Sequence, residues 1–301
     1  MMLEGKVAIV TGAGRGLGRA EALELGRLGA AVVVNDLGGA ADGSGADASP
    51  AQRVAGEIAA AGGKAIANRG DVADWGQAKG LIDQAVETFG GLDILVNNAG
   101  FLRDKMVFNM DEDDWDSVIR VHLKGHFSTS RWATSYWRDR SKEEGGPVYA
   151  RIINTASEAF LVGSPAQPNY AAAKGGITAM TLSIAQSCAR YGVRANVICP
   201  RARTRMTEVL GSMYAKPEEG FDVFAPENVA PLVGFLASPA AEQISGQVFI
   251  VYGGTVSLLA GPHREKDFQA EGRWRAEGLA NTLCGHFEGR QPLAGYVMPY
   301  Q

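Results

Sequence analysis

Short unbroken runs of small and β-branched residues alternate along the chain with longer stretches whose apolar positions recur at helical spacing. The runs at 6–11, 32–35, 64–68, 93–96, 149–155, 193–199 and 247–251 read as strands. The stretches at 16–28, 51–61, 74–89, 111–140 and 168–191 read as helices. Asp-Glu-Asp-Asp crowds the first turn of the fourth helix, where the helix dipole favours acids, and Pro168 opens the fifth. Strands without polar alternation, each followed by a helix, predict a parallel sheet covered on both faces. Residues 36–50 form a polar loop of turn formers, longer than most connections, and are expected to be functional or mobile. Periodicity is lost after Gly261. One domain over 1–261 and a C-terminal extension over 262–301 are therefore expected, since forty residues seldom hold a core alone. The extension would pack on the domain or on a partner subunit.

Composition narrows the partners. The chain has 301 residues with a net charge of −4 and a pI near 5.7, so neither nucleic acid nor an anionic membrane is expected to bind. The charge-free stretch Gln243 to Pro262 carries four glycines and reads as strand and turn, not as a membrane span. Three cysteines without a C-x-x-C pattern point to reduced thiols in a cytoplasmic protein and to no metal site. No apolar signal region opens the chain.

Residues 11–18, T-G-A-G-R-G-L-G, follow a strand and open a helix. Gly12, Gly14, Gly16 and Gly18, with Arg15 and Leu17, would bring bare backbone against a pyrophosphate at the helix N-terminus. Asp36 ends the second strand, where an acid accepts both ribose hydroxyls of adenosine and repels a 2′-phosphate; NAD is therefore expected over NADP. A turn cap is the other reading of Asp36. Leu37 follows it along the same wall. Asp71 and Val72 end the third strand, with Asp71 facing the adenine amino group or simply forming a turn. Asn98, Ala99 and Gly100 end the fourth strand and would floor the adenosine.

Ser157, Tyr170 and Lys174 carry the chemistry. Tyr170 and Lys174 are i and i+4 on one helix and leave the same face. A neighbouring ammonium and a positive nicotinamide would lower the phenol from its usual pKa of about 10, so that it exchanges protons near neutrality. Ser157 would hold the substrate oxygen against Tyr170.

Together these residues resemble the short-chain dehydrogenase/reductase family over residues 3 to about 255. The resemblance rests on T-G-A-G-R-G-L-G, on N-N-A-G at 97–100, on Ser157 and on Y-A-A-A-K at 170–174. It implies a Rossmann-type, doubly wound α/β fold with about seven parallel strands. It also implies hydride transfer between a carbinol or carbonyl carbon and nicotinamide. Ser157 would orient substrate, Tyr170 would act as acid and base, and Lys174 would bind the nicotinamide ribose and tune Tyr170. Thr204 would meet the carboxamide, and a homodimer or homotetramer is implied. Two departures stand out. His122 replaces the family's Asn at the start of the proton relay, where imidazole could titrate near neutrality or simply pack. Pro200-Arg201 replaces the usual Pro-Gly.

These departures, with V-V-V-N-D-L-G-G at 32–39 and L-R-D-K at 102–105, are similar to the (3R)-hydroxyacyl-CoA dehydrogenase domains of peroxisomal multifunctional enzymes of type 2. An NAD-dependent oxidation of a 3-hydroxyacyl-CoA, fatty or steroid-derived, is the leading expectation. A 3-oxoacyl carrier-protein reductase and a catalytically silent NAD-binding regulator are the alternatives. Arg201, Arg203, Arg205, Arg103 and Lys105 would form a basic rim for CoA phosphates, or a salt-bridged loop. Residues 204–224 would form a substrate lid.

Overall fold

The computed structural model describes residues 1–40, 42–45, 47, 49–204 and 214–290. They divide into two compact units, Met1–Leu258 and Leu259–Gln301. The first unit holds β1 (Val7–Thr11), α1 (Gly16–Arg27), β2 (Ala31–Asn35), α2 (Ser49–Ala60), β3 (Lys64–Asn68) and α3 (Trp75–Phe89). It continues through β4 (Ile94–Asn97), α4 (Glu112–Ile119), α5 (Gly125–Glu143), β5 (Ala150–Thr155), α6 (Ala159–Val162) and α7 (Pro168–Ser187). It ends with β6 (Val193–Pro200), α8 (Ala230–Leu236), β7 (Val248–Tyr252) and β8 (Thr255–Leu258).

The strands form one sheet in the order β3-β2-β1-β4-β5-β6-β7-β8. Every pairing is parallel except β7 with β8. This eighth strand exceeds the seven expected. Gly253 and Gly254 close a two-residue hairpin, with Gly253 at φ 50. All four β8 residues are exposed, so no apolar periodicity announced it. Residues of α1, α2 and α8 cover one face of the sheet. Residues of α3 and α5 cover the other, where Trp137 is fully buried and donates its indole N–H to the Leu92 carbonyl at 2.7 Å.

Local chemistry sets the helix ends. Asp74 caps α3 by accepting from the Gln77 N–H, and Gly90 ends it at φ 83. Asp111 and Asp114 form a reciprocal capping box at the start of α4. The single helix expected over 111–140 is interrupted. Arg120–Lys124 form a π-helical turn between α4 and α5, a widening found mostly at functional sites. It carries His122, buried, to the backbone after β4.

Glu21 on α1 is fully buried, and its carboxylate oxygens find no hydrogen-bond partner among the described residues. Burial pushes its carboxyl up to about 8. The folded state thus holds a proton that the unfolded chain releases above its ordinary value of 4.5. The stability this protonated form provides is complete below that value and is lost as pH rises toward 8. Glu21→Gln removes the penalty. Denaturant titration should find the variant close to the parent near pH 4.5 and more stable by roughly 2–4 kcal/mol at pH 8.

The second unit contains α9 (Ala276–Phe287), with His286 edge-on to Phe268 and Glu265 paired to Arg290 at 2.9 Å. Among the described residues, no helix is long and apolar enough to cross a membrane.

Candidate active site

β1 lies between β2 and β4, and the chain reverses its direction of progress across the sheet there. That switch point opens a crevice at the strand carboxyl ends. The chain leaves β1 through Gly12, at φ 63, and enters α1 through Gly16, at φ 52. A Cβ on Gly12 would stand 2.8 Å from Ala99 Cα, and one on Gly18 would stand 2.4 Å from the Gly12 carbonyl oxygen. Asn98 ties this turn to β4. Its side-chain amide donates to the Thr11 and Gly12 carbonyls at 3.1 and 3.2 Å. Thr11 Oγ1 in return accepts from the Asn98 and Ala99 N–H groups at 3.0 and 3.2 Å.

The resulting cleft has a volume of about 270 Å³. Gly12, Arg15, Gly16 and Leu17 line one side, and Asn98, Ala99 and Gly100 line the floor. Asp36 and Leu37 from the end of β2 and Asp71 and Val72 from the end of β3 form the far wall. Asp36 accepts from the Gly14 N–H at 2.7 Å and the Gly38 N–H at 2.6 Å. A carboxylate has about four acceptor positions, so two remain for sugar hydroxyls. Thr204 also lines the cleft, next to Gly16. The cradle fits a dinucleotide: bare backbone where a phosphate would lie, and a fixed acid where a ribose would lie.

On α7, the Lys174 Nζ lies 5.3 Å from the centre of the Tyr170 ring. Lys174 is 2% exposed and donates to the Thr155 carbonyl at 2.6 Å. Ser157, just past β5, stands near enough to the Tyr170 phenol to favour its ionised form, and its Oγ accepts from the Ala159 N–H at 3.2 Å. His122 stands edge-on to Tyr170, with ring centres 5.2 Å apart, and its Nε2 lies 2.7 Å from the Phe101 carbonyl oxygen. Gly100 makes room for that ring, because a Cβ there would meet His122 Cε1 at 2.1 Å.

Burial dominates the proton equilibria. It pushes Lys174 down to about 7. It pushes Tyr170 up to about 12, outweighing the effect of Ser157. Desolvation opposes both charged forms, and the expected lowering of the phenol by the ammonium and a positive nicotinamide together has to overcome it. A positive charge brought beside the phenol would favour its ionised form and offset part of that burial.

The chain matches the family described as short chain dehydrogenase over residues 6–215. It belongs to that family. The dehydrogenase is 54% identical over 293 residues to the hydroxyacyl-CoA dehydrogenase ChsB1 of Mycobacterium tuberculosis, covering 96% of this chain and 91% of that one. It is 40% identical over 259 residues to the peroxisomal multifunctional enzyme type 2 of Mus musculus, covering 86% of this chain and 33% of that much longer protein. A crystal structure of a short chain dehydrogenase from Mycobacterium avium superposes with a TM-score of 0.85 at 47% identity, covering 99% of this chain and 98% of that one. The dehydrogenase is an oxidoreductase of CH–OH groups that uses a nicotinamide cofactor.

Several residues sit differently from expectation. Gly14 and Gly18 support the dinucleotide cleft from behind, packed on Asp36 and on Asn98. Tyr170, Lys174 and Ser157 lie outside its wall, joined to it through Gly100, Phe101 and His122. Asp71 lines the cleft, pairs with Arg120 at 2.5 Å and accepts from the Ala73 N–H, contacts that brace the carboxylate on the wall and leave acceptor positions open. Thr204 lines the cleft beside Gly16. The basic rim is neutralised: Arg201 pairs with Glu158, Arg203 with Asp222, Arg103 with Asp113 and Lys105 with Asp114. Arg205 and residues 205–213 of the expected lid lie outside the described residues. Sequence reasoning missed Arg120 and His126. His126 is a second buried histidine one turn beyond His122 and is likewise held well below its ordinary range by burial. Nothing in the local sequence distinguishes either from an ordinary helix residue.

The buried His122 ring is pushed down to about 3 by desolvation and by Lys174, so it is neutral near neutrality and does not titrate there as expected. His122→Asn should retain activity, and the shape of its kcat/KM profile between about pH 5 and 7 should match the parent's. Gly18→Ala forces a Cβ onto the Gly12 carbonyl, and titration of protein fluorescence should show NADH binding weakened by at least about tenfold.

Proposed function

We propose that this dehydrogenase uses NAD and oxidises the hydroxyl of a 3-hydroxyacyl-CoA whose acyl part is fatty or sterol-derived. The observation that carries the cofactor choice is Asp36. Its carboxylate is held on the cleft wall by two backbone N–H groups, where a 2′-phosphate would meet a fixed negative charge. The substrate class is supported by the 54% identity, across nearly the whole chain, to a protein named as a hydroxyacyl-CoA dehydrogenase. Three free cysteines and that bacterial relative support a cytoplasmic setting.

NAD would be held by the Gly12–Gly18 turn, by Asp36 and by the floor at Asn98–Gly100, and it supplies the hydride acceptor. The remaining work belongs to the chain. Ser157 offers its hydroxyl to the substrate oxygen. Tyr170, as the phenolate beside Ser157, takes the hydroxyl proton as hydride departs. Lys174, anchored on Thr155, holds the compensating proton behind Tyr170. The neutralised rim leaves CoA recognition to neutral contacts or to exchange of existing ion pairs.

Tyr170→Phe should lower kcat by about three orders of magnitude or more while NADH binds within about threefold of the parent. Equal loss of binding and turnover would remove Tyr170 from the chemistry. Asp36→Ser should raise kcat/KM with NADP at least about tenfold relative to NAD, read from paired cofactor titrations.

A further inference from the structure

Arg201 stands where the family's usual Gly follows Pro200, and it is built into the catalytic end of the sheet. Its Nε and Nη2 donate to the two carboxylate oxygens of Glu158 at 2.5 and 2.7 Å. Its guanidinium lies 4.6 Å from the centre of the Tyr252 ring. Its backbone N–H donates to the Val251 carbonyl at 3.0 Å. Glu158 is the residue after Ser157 and the N-terminal cap position of α6, and its side chain is 11% exposed. One guanidinium therefore ties together the ends of β5, β6 and β7.

We propose that the Arg201–Glu158 pair, braced on Tyr252, is a positioning device that holds the Ser157 hydroxyl on Tyr170. A bidentate guanidinium–carboxylate pair fixes direction as well as distance, which lysine cannot reproduce. The segment it fixes is short. Ser157 Oγ is already committed to the Ala159 N–H, and the Phe160 N–H returns to the Ser157 carbonyl at 3.3 Å. A rotation at Glu158 is therefore passed directly to Ser157.

The consequence reads out on Tyr170. The groups around its phenol are Ser157, Lys174 on the same helix, Cys199 at the end of β6, Asp104 paired with Gln167, and the neutral His122 ring. Of these, Cys199 and Asp104 disfavour the phenolate, whereas Ser157 favours it. Displacing Ser157 therefore raises the pH at which Tyr170 gives up its proton. A merely structural salt bridge would not move that limb.

This inference rests on the dehydrogenase reading above, and the test separates the two. The parent enzyme, Arg201→Met, Arg201→Lys, Glu158→Gln and the exchanged pair Arg201→Glu/Glu158→Arg are assayed for alcohol oxidation across pH, and NADH binding is titrated in each. The expected result is a loss of about tenfold or more in kcat for the single variants, with KM for NAD and NADH affinity within about twofold. The alkaline-rising limb of kcat moves to higher pH, Arg201→Lys fails to restore it, and the exchanged pair recovers part of the loss. Glu158→Gln, a neutral isostere, carries the same readout if Arg201→Met does not fold. An unmoved limb in variants that fold and bind NADH would overturn the positioning role, as would rescue by lysine equal to the parent. A parent that turns over no alcohol would contradict the dehydrogenase reading instead.

Discussion

The Lys174 amine has been taken out of water and, among the described residues, holds on to the Thr155 carbonyl, and the catalytic end of this molecule follows from that. Burial lowers the lysine to about 7 and raises the neighbouring phenol to about 12. Each group alone resists carrying charge. The nicotinamide ring of an oxidised cofactor is positive, so it would favour the ionised form of Tyr170 when oxidation is required. The fold's contribution is to bury Lys174 and half-bury Tyr170: α7 sets Lys174 on the Thr155 carbonyl at the end of β5 and Tyr170 against the edge of the His122 ring.

The nucleotide end works by shape rather than by proton affinity. Gly12 and Gly18 have neighbours within 3 Å of where a side chain would begin, so the backbone itself forms the surface presented to a ligand. Asn98 and Thr11 lock that surface to β4 with four hydrogen bonds. Gly100 belongs to both halves: it lines the cleft, and its bare Cα admits His122 to the edge of Tyr170. The π-helical turn at Arg120–Lys124 gives His122 that reach, so an irregularity in one helix couples cofactor floor and chemical end.

Much of this was legible in the residues. Continuous Val/Ile runs fix buried parallel strands, and glycines after a strand fix where backbone must approach a ligand. The i, i+4 spacing of Tyr170 and Lys174 fixes a shared face. What was not legible depends on long-range neighbours. Arg201 and Arg203 read as a phosphate rim or as a salt-bridged loop, and only the fold shows Glu158 and Asp222 opposite them, 43 and 19 residues away in the chain. For His122 the residues left titration or packing open, and its burial decides for a neutral, packed ring. The exposed β8 strand has no apolar pattern, and the π-helical turn carries no sequence punctuation such as Gly or Pro.

The central claim is that the phenol's acidity is set by desolvation and released by cofactor charge. Protein labelled with ¹³C at tyrosine Cζ, with Tyr170→Phe identifying the resonance, can be titrated by NMR in complex with NAD⁺ and with NADH. The account predicts that Tyr170 loses its proton at clearly lower pH in the NAD⁺ complex than in the NADH complex. Equal midpoints in the two complexes would contradict it.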